Sequence, residues 1–177
     1  SPANNVLIAG GGPLVDLIRK VDQPLRLDAE KVHWACISVL AASARLMAAL
    51  LPEANLIESY AALRRQVEQP GTGLFVFSVE GFLRIQEESP DGLKLPYGWE
   101  VTSDSIAASL AAAIDATELV LLKSTDLPSS ATRASAAASG LVDEYFPIAS
   151  QKLAEIRWVN LRDGRKGVGS RFIDKGR

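Results

Sequence analysis

The pattern of hydrophobic and polar positions near the amino terminus predicts a strand, a glycine loop and a helix, in that order. Asn5 to Ala9 is a short apolar run that three consecutive glycines end, which is typical of a buried parallel strand. After Pro13, a residue type suited to the first turn of a helix, apolar residues recur at helical spacing as far as Val21. A strand that leads through glycines into a helix is a common setting for ligand binding.

The rest of the chain alternates between helical and strand-like patterns. A long apolar helix is expected from an N-cap at Asp28 to Leu51, where Pro52 stops it. Further helices are predicted at Glu58 to Glu68, at Asp104 to Ala113 after an N-cap at Thr102 or Ser103, and around Ile148 to Ile156, and further strands at Leu74 to Val79, Glu118 to Lys123 and Arg157 to Asn160.

Two segments lack a clear period. Glu80 to Tyr97 is predicted to be irregular, because Pro90, Asp91, Gly92 and other turn residues occur in it. The segment from residue 129 to 139 is rich in small residues and is either a mobile loop or the start of a helix.

Strands that alternate with helices favour an α/β fold with a mostly parallel sheet covered on both faces. The chain has 177 residues and no obvious linker, so one domain is expected. Ligands of such sheets bind beyond the carboxyl ends of the strands. Three polar segments are therefore expected to converge on one sheet edge: the glycine loop, Thr102 to Asp104, and Lys123 to Asp126.

The loop Gly10, Gly11 and Gly12 is the first candidate for binding an anion. Glycines permit positive φ and close approach of a ligand, and the following helix offers unsatisfied N–H groups. The loop matches neither a dinucleotide fingerprint nor a Walker loop. The alternative is a tight strand-to-helix turn that binds nothing.

Asp104 and Lys123 each have a functional and a structural interpretation. Asp104 either favours the positive end of its helix or orients a basic group or a metal ion. Lys123, at the end of an apolar strand, either reaches a phosphate or extends its ammonium into solvent.

The single histidine and the single cysteine predict neither a metal site nor a reactive thiol. With no second histidine, His33 predicts no metal site and no histidine-based triad. Cys36 has apolar neighbours and is expected to be a buried, inert thiol, which suits a reducing compartment.

Composition narrows the possible partners. Hydrophobic residues make up 47% of the chain and the net charge is −2, so neither nucleic acid nor an anionic membrane is an expected partner. No signal peptide is recognised, and Arg45 interrupts the longest apolar stretch, so a cytoplasmic protein without a membrane span is expected. The apolar helix from Asp28 to Leu51 favours a homo-oligomer.

The order of these motifs resembles the amino acid kinase superfamily, the group that contains acetylglutamate, aspartate and uridylate kinases. Within it, the chain most resembles the branch that includes the kinase of methanofuran-type cofactor synthesis, and the likeness extends over nearly the whole chain. The residues that carry the resemblance to the superfamily are Gly10-Gly11-Gly12 with Asp16 and Arg19, Thr102 to Ala107, Leu119 to Asp126, Gly140 to Asp143 and Val159-Asn160. Those that carry the resemblance to the branch are Arg19 followed by Asp22, Val32-His33-Trp34, Pro96-Tyr97 and Trp99.

The resemblance implies a three-layer αβα sandwich that transfers a phosphoryl group from Mg-ATP. Its N-terminal part, about residues 1–100, would hold the acceptor, and its C-terminal part, about residues 101–177, would hold ATP and Mg²⁺. The resemblance makes Asp104 the family's catalytic aspartate, which orients lysines around the reacting phosphates, and Lys123 the second catalytic residue. The other site residues it implies are Gly10, Gly11, Gly12, Asp16, Arg19 and Ser103 for the acceptor or transferred phosphoryl group, and Lys123, Ser124, Thr125, Asp126 and Asn160 for the nucleotide.

Two departures from the family pattern affect catalysis. The family's opening strand with its Lys-x-Gly-Gly-Ser loop is not found, so the domain is expected to lack that strand and its lysine. Glu144 stands where the family usually has a second lysine, and an acidic residue there would repel the developing charge. Lys123, Arg19 or Lys152 are the candidates to compensate.

Two functional hypotheses follow. The first is an ATP-dependent small-molecule kinase that acts on a phosphate or carboxylate acceptor, such as a furan-type cofactor precursor. The second is a catalytically impaired kinase-like protein that binds a nucleotide or anion, or serves as an assembly subunit.

Overall fold

The computed structural model describes residues 3–88, 94–162 and 169–174, and the chain divides into two compact units, Ser1–Gly98 and Trp99–Arg177. Each unit contains a three-stranded sheet together with helices. The mixed α/β class predicted from the sequence is thereby confirmed.

The first unit has a parallel sheet in the order β1-β3-β2, with Asn5 opposite Leu74 and Asn55 opposite Phe75. Its central strand β3 contains Val76, which is fully buried because strands flank it on both sides. The elements of this unit are β1 (Asn5–Leu7), α1 (Gly12–Leu25), α2 (Ala29–Leu50), β2 (Asn55–Ile57), α3 (Tyr60–Glu68), β3 (Leu74–Phe77) and α4 (Glu80–Glu88).

The start of α2 confirms the cap predicted from the sequence. The carboxylate of Asp28 accepts a hydrogen bond from the backbone N–H of Lys31 at 3.0 Å, which satisfies one of the free donors of the first turn. The small side chain of Ala44 lets this helix pack closely on the sheet, where it joins a core cluster with Ala9 and Val76.

Helix α2 is also long and apolar enough, by length and composition alone, to cross a membrane. The expectation that Arg45 would interrupt every such stretch is therefore wrong, because one charged residue does not lower the hydropathy of the whole helix enough. The same test is passed by core helices of globular proteins, so this helix says little about location.

Helix α4 corrects the prediction that Glu80 to Tyr97 is irregular. The guanidinium of Arg84 lies 2.7 Å from the carboxylate of Glu80 one turn earlier, and Phe82 and Leu83 on the inner face are buried. The turn residues 90–92, which suggested an irregular segment, lie outside the described residues and after the helix.

The second unit has a mixed sheet in the order β4-β5-β6. Strands β4 and β5 are parallel with Lys123 opposite Asn160, and β6 is antiparallel to β5. Its core contains the fully buried Phe146 and the indole of Trp158. The elements are α5 (Ser103–Ala113), β4 (Leu119–Lys123), α6 (Arg133–Ala138), α7 (Phe146–Ala149), β5 (Ile156–Asn160) and β6 (Ser170–Arg171).

The structure decides one open prediction for this unit and corrects another. Residues 129–139 do contain a helix, α6, which starts with a capping box formed by Thr132 and Ser135. The predicted helix from Ile148 to Ile156 is wrong, because α7 ends at Ala149. The carbonyl groups of Ser150 and Leu153 accept hydrogen bonds from the guanidinium of Arg133 instead of from the N–H groups of a further helical turn.

The expected convergence of three loops on one sheet edge is not observed. The glycine loop follows β1 in one three-stranded sheet, whereas the loop after Lys123 follows β4 in the other. Of the three segments, those that contain Asp104 and Lys123 share the second unit.

The buried Arg133 generates a stability prediction. Its side chain is 4% exposed, and its two terminal nitrogens reach carbonyl groups on both sides of the turn after α7. A lysine ends in one nitrogen atom and cannot reproduce the two separate nitrogens of the planar guanidinium, so Arg133→Lys is expected to lower the free energy of unfolding by about 1–3 kcal/mol. Urea denaturation measures the change.

Arg171→Lys is the matched control for that experiment. Arg171 is half-exposed on β6 and pairs with Glu118 and Glu155, so its replacement is expected to cost under about 1 kcal/mol. Equal destabilisation by the two substitutions would contradict the role assigned to the buried guanidinium.

Candidate functional site

Asp104 lies in the first turn of α5. The extended backbone of Thr102 ends the preceding segment, and the helix begins at Ser103. Its N-terminal N–H groups give this end a partial positive charge, which favours a carboxylate at Asp104. The side chain of Asp104 is 15% exposed, so its charge needs more compensation than a helix end supplies.

Lys123 supplies that compensation from the carboxyl end of β4. Its Nζ lies 2.6 Å from Oδ2 of Asp104 and donates a second hydrogen bond to the backbone oxygen of Leu141 at 3.0 Å. The ammonium also lies 5.5 Å from the ring centroid of Trp158, within range of a cation–π interaction. Asp104 thus contacts a basic group, which was one of the alternatives left open by the sequence. The ammonium of Lys123 turns towards the protein, so the alternative in which it extends into solvent is wrong.

A second carboxylate, that of Asp143, lies at the same end of α5. It accepts hydrogen bonds from the backbone N–H groups of Thr102 and Ser105, at 3.0 Å and 2.9 Å. The hydroxyl groups of the same two residues also donate to this carboxylate. The Thr102 hydroxyl lies at 2.9 Å, and the Ser105 hydroxyl makes a very short contact. Asp143 therefore caps α5 from a distant part of the chain.

Burial dominates the electrostatics of Asp104. It raises the pKa of the Asp104 carboxyl above its ordinary value of 3.8, and the nearby charge of Asp143 raises it further. The charge and hydrogen bond of Lys123 lower the same pKa and are the principal opposing influence. The ionised form of Asp104 thus depends on the lysine.

The polar loop after β4 lies next to this pair. Ser124, Thr125 and Asp126 are exposed, and the amide of Asn160 donates a hydrogen bond to the Asp126 carboxylate at 2.9 Å. The indole N–H of Trp158 donates to the backbone oxygen of Thr125 at 2.7 Å, which anchors the loop to β5. The structure therefore brings together the predicted nucleotide residues at the carboxyl ends of β4 and β5.

The predicted acceptor residues of the first unit cluster around the start of α1. Gly10 is exposed, and Gly12 adopts φ +53° with open space where a side chain would begin. A Cβ on Gly11 would lie 2.1 Å from a methyl carbon of Val15, so a glycine is required for the packing of this turn. These observations account for two of the three glycines without a ligand.

The remaining predicted residues are less distinctive. Asp16 is exposed and Arg19 is half-buried, both on α1, and Ser103 is the half-buried first residue of α5. Glu144 is exposed and directly follows Asp143 in the chain.

His33 and Cys36 are both half-buried, so Cys36 is less buried than its apolar neighbours predicted. Burial lowers the pKa of His33, whose ring packs 4.9 Å from that of Tyr97. Burial raises the pKa of the Cys36 thiol, which disfavours the reactive thiolate. Within the described ranges, no group of three or more histidine, cysteine, aspartate or glutamate side chains is placed to hold a metal ion.

Sequence reasoning missed the contributions of Asp143 and of the Leu141 carbonyl. The segment that contains both was noted only as part of the family resemblance. Neither group carries a local signal, because Asp143 caps a helix that begins about 40 positions earlier in the chain.

Neither a protein-family model nor a curated protein sequence matches the chain. An ammonium has three N–H groups, and the described residues accept two of those of Lys123. The third remains for a ligand, and the arrangement suits an anion at the carboxyl end of β4.

Replacement of Lys123 generates a pH prediction. In Lys123→Met the partly buried Asp104 loses its cation, so the free energy of unfolding near neutral pH is expected to fall by about 2 kcal/mol. The pKa of Asp104 in the folded state rises further above that of the unfolded chain. The folded state then binds more protons, and stability falls as pH rises above about 4 towards the folded pKa.

The double variant Lys123→Met/Asp104→Asn is the control, since it removes the titrating group. Urea midpoints measured between pH 4 and pH 8 should decline with pH in the single variant relative to the double variant. Parallel profiles in the two variants would refute the dependence of Asp104 on Lys123.

Proposed function

We propose that this protein is an ATP-dependent small-molecule kinase of the amino acid kinase type, with the three-layer αβα arrangement of that family. The observation that carries the proposal is the contact of 2.6 Å between Lys123 and Asp104 at the carboxyl end of a parallel strand. This is the edge at which α/β sheets bind ligands. The order of motifs in the sequence supports the same assignment.

In this proposal the second unit binds the nucleotide. Lys123 donates its remaining N–H to a phosphate oxygen, and Asp104 holds the ammonium in position by its hydrogen bond. Ser124, Thr125 and Asn160 supply neutral donors for the nucleotide. Phosphoryl transfer requires mainly positioning and charge neutralisation, which a fixed ammonium provides.

The donor set fits a phosphate better than a metal ion held by the protein alone. The carboxylates of Asp104, Asp143 and Asp126 each accept hydrogen bonds from the protein, and Asp126 is the exposed one of the three. Mg²⁺ commonly binds through substrate phosphates with one or two carboxylates, so it fits as Mg-ATP. When bound, Mg²⁺ neutralises charge on the phosphates.

The first unit is proposed to bind a phosphate or carboxylate acceptor, such as a furan-type cofactor precursor. Gly10 is exposed and Gly12 leaves open space before the N-terminus of α1, where backbone N–H groups favour an anion. Arg19 and Asp16 lie further along the same helix and are proposed to contact the acceptor.

One observation favours the second hypothesis, a kinase-like protein that binds a nucleotide without transferring phosphate. Glu144 is exposed beside Asp143, and its carboxylate adds negative charge where the family usually has a lysine. Repulsion between this carboxylate and the phosphates would weaken catalysis more than binding, because charge develops in the transition state.

Nucleotide binding is tested by the shift of the melting temperature with Mg-ATP. At about 100 times the dissociation constant, ligand binding stabilises a protein by about 2.7 kcal/mol, which corresponds to a rise of several degrees. The rise is expected in the wild type and in a control, Lys31→Met, whose exposed lysine lies on α2. It should be lost in Lys123→Met. A wild type that does not respond to Mg-ATP would sink the proposal.

Phosphoryl transfer is tested through Asp104. Asp104→Asn preserves the shape of the side chain but loses the charge that orients Lys123, so turnover is expected to fall at least about 100-fold with the fold intact. Acceptors that carry a phosphate or carboxylate should be assayed by release of ADP. Turnover like that of the wild type in this variant would remove Asp104 from the mechanism.

Glu144→Lys separates the two hypotheses. The substitution places a cation near the nucleotide, and the dissociation constant for Mg-ATP is expected to fall by about threefold or more relative to Glu144→Gln. In an impaired protein, phosphoryl transfer should appear only with the lysine. Equal transfer by the wild type and both variants would show that the chain is active without a lysine at this position.

A further inference from the structure

The short segment Leu141–Asp143 contacts both partners of the Lys123–Asp104 ion pair. On one side, the backbone oxygen of Leu141 accepts a hydrogen bond from Nζ of Lys123 at 3.0 Å. On the other, the carboxylate of Asp143 binds the first turn of α5, in which Asp104 lies. The two contacts arise from residues only two positions apart.

Hydrogen bonds to Asp143 hold the first turn of α5 in place. The N-cap Thr102 makes no side-chain cap of its own, so the carboxylate of Asp143 takes the capping position. It satisfies two backbone N–H groups that the helix cannot satisfy internally. It also accepts from the hydroxyl of Ser105, a residue that is fully buried and has no access to water.

The segment itself is held by the end of α6. Gly140 adopts φ +68°, and the N–H of Leu141 donates to the backbone oxygen of Ala136 at 2.9 Å, which closes the helix and turns the chain. This turn presents the Leu141 carbonyl towards Lys123. The position of the segment is thus set independently of the ion pair that it contacts.

We infer that Asp143 is a positioning residue for the Lys123–Asp104 pair, which it aligns by holding the first turn of α5 against the segment that binds Lys123. The consequence for catalysis rests on the proposed function, whereas the alignment of the pair does not. A carboxylate that only capped α5 would stabilise the helix without changing how strongly Asp104 and Lys123 interact.

A triple-mutant cycle distinguishes alignment from capping. The coupling between Asp104 and Lys123 is obtained from urea unfolding of the full chain with Asp104→Asn, Lys123→Met and both changes, as a ratio of unfolding constants. In the wild-type background the coupling is expected to be about tenfold. In the Asp143→Asn background we expect it to fall below about threefold, because the asparagine retains shape but loses charge and acceptor capacity.

Glu144→Gln is the matched control, since it removes one negative charge from the next residue, which is exposed. Its coupling should equal that of the wild type within about twofold. A coupling that is the same in Asp143→Asn as in Glu144→Gln, even with lower stability, would overturn the inference and leave Asp143 as a helix cap.

If Asp143→Asn does not fold, the coupling between Asp104 and Lys123 is measured in a second variant instead. The pair Thr102→Val/Ser105→Ala removes both hydroxyl donors but keeps the Asp143 carboxylate and the backbone bonds. The coupling is expected to fall at least about twofold there, and an unchanged coupling would refute the inference.

The outcome is separable from that of the proposed function, because no nucleotide enters the unfolding measurements. If the wild type does not respond to Mg-ATP but Asp143→Asn still lowers the coupling between Asp104 and Lys123, the kinase proposal is refuted. The role of Asp143 in aligning the pair then stands. If the chain is active, Asp143→Asn should lower kcat about tenfold or more with a smaller change in KM for ATP, since alignment matters most in the transition state.

Discussion

The second unit depends on one electrostatic constraint, which is the burial of the Asp104 carboxylate beside the Lys123 ammonium. An isolated carboxylate in this position would be strongly disfavoured, and burial does raise its pKa. Lys123 can oppose that effect only if β4 ends where it does, opposite Asn160 on β5. The end of β4 and the start of α5 are thus joined by a polar contact of 2.6 Å.

The same constraint bears on how an incoming phosphate would interact with the site. A phosphate brings negative charge close to Asp104 and would raise its pKa further unless a cation lay between them. Lys123 has an N–H group left for this purpose after its bonds to Asp104 and Leu141. In the proposed site the pair acts as a fixed ammonium with Asp104 as its anchor, and Glu144 adds an exposed negative charge next to Asp143 in the chain.

Sequence patterns predicted the elements whose signals are local. The polar run from Thr102 to Asp104 before small apolar residues identified α5, and the apolar run ending at Lys123 identified β4. The pattern failed where distant contacts decide the structure. Helix α7 ends early because Arg133 binds the carbonyls after it, and the capping of α5 by Asp143 depends on a residue about 40 positions away. Strand β6 consists of two residues, too short for any period to reveal.

A crystal structure with Mg²⁺ and a non-hydrolysable ATP analogue would show whether the ammonium of Lys123 holds a nucleotide phosphate while Asp104 holds the ammonium. We expect a phosphate oxygen about 2.7–3.2 Å from Nζ of Lys123, with the contact to Asp104 retained. A triphosphate bound elsewhere, with Lys123 still contacting only Asp104 and Leu141, would contradict it.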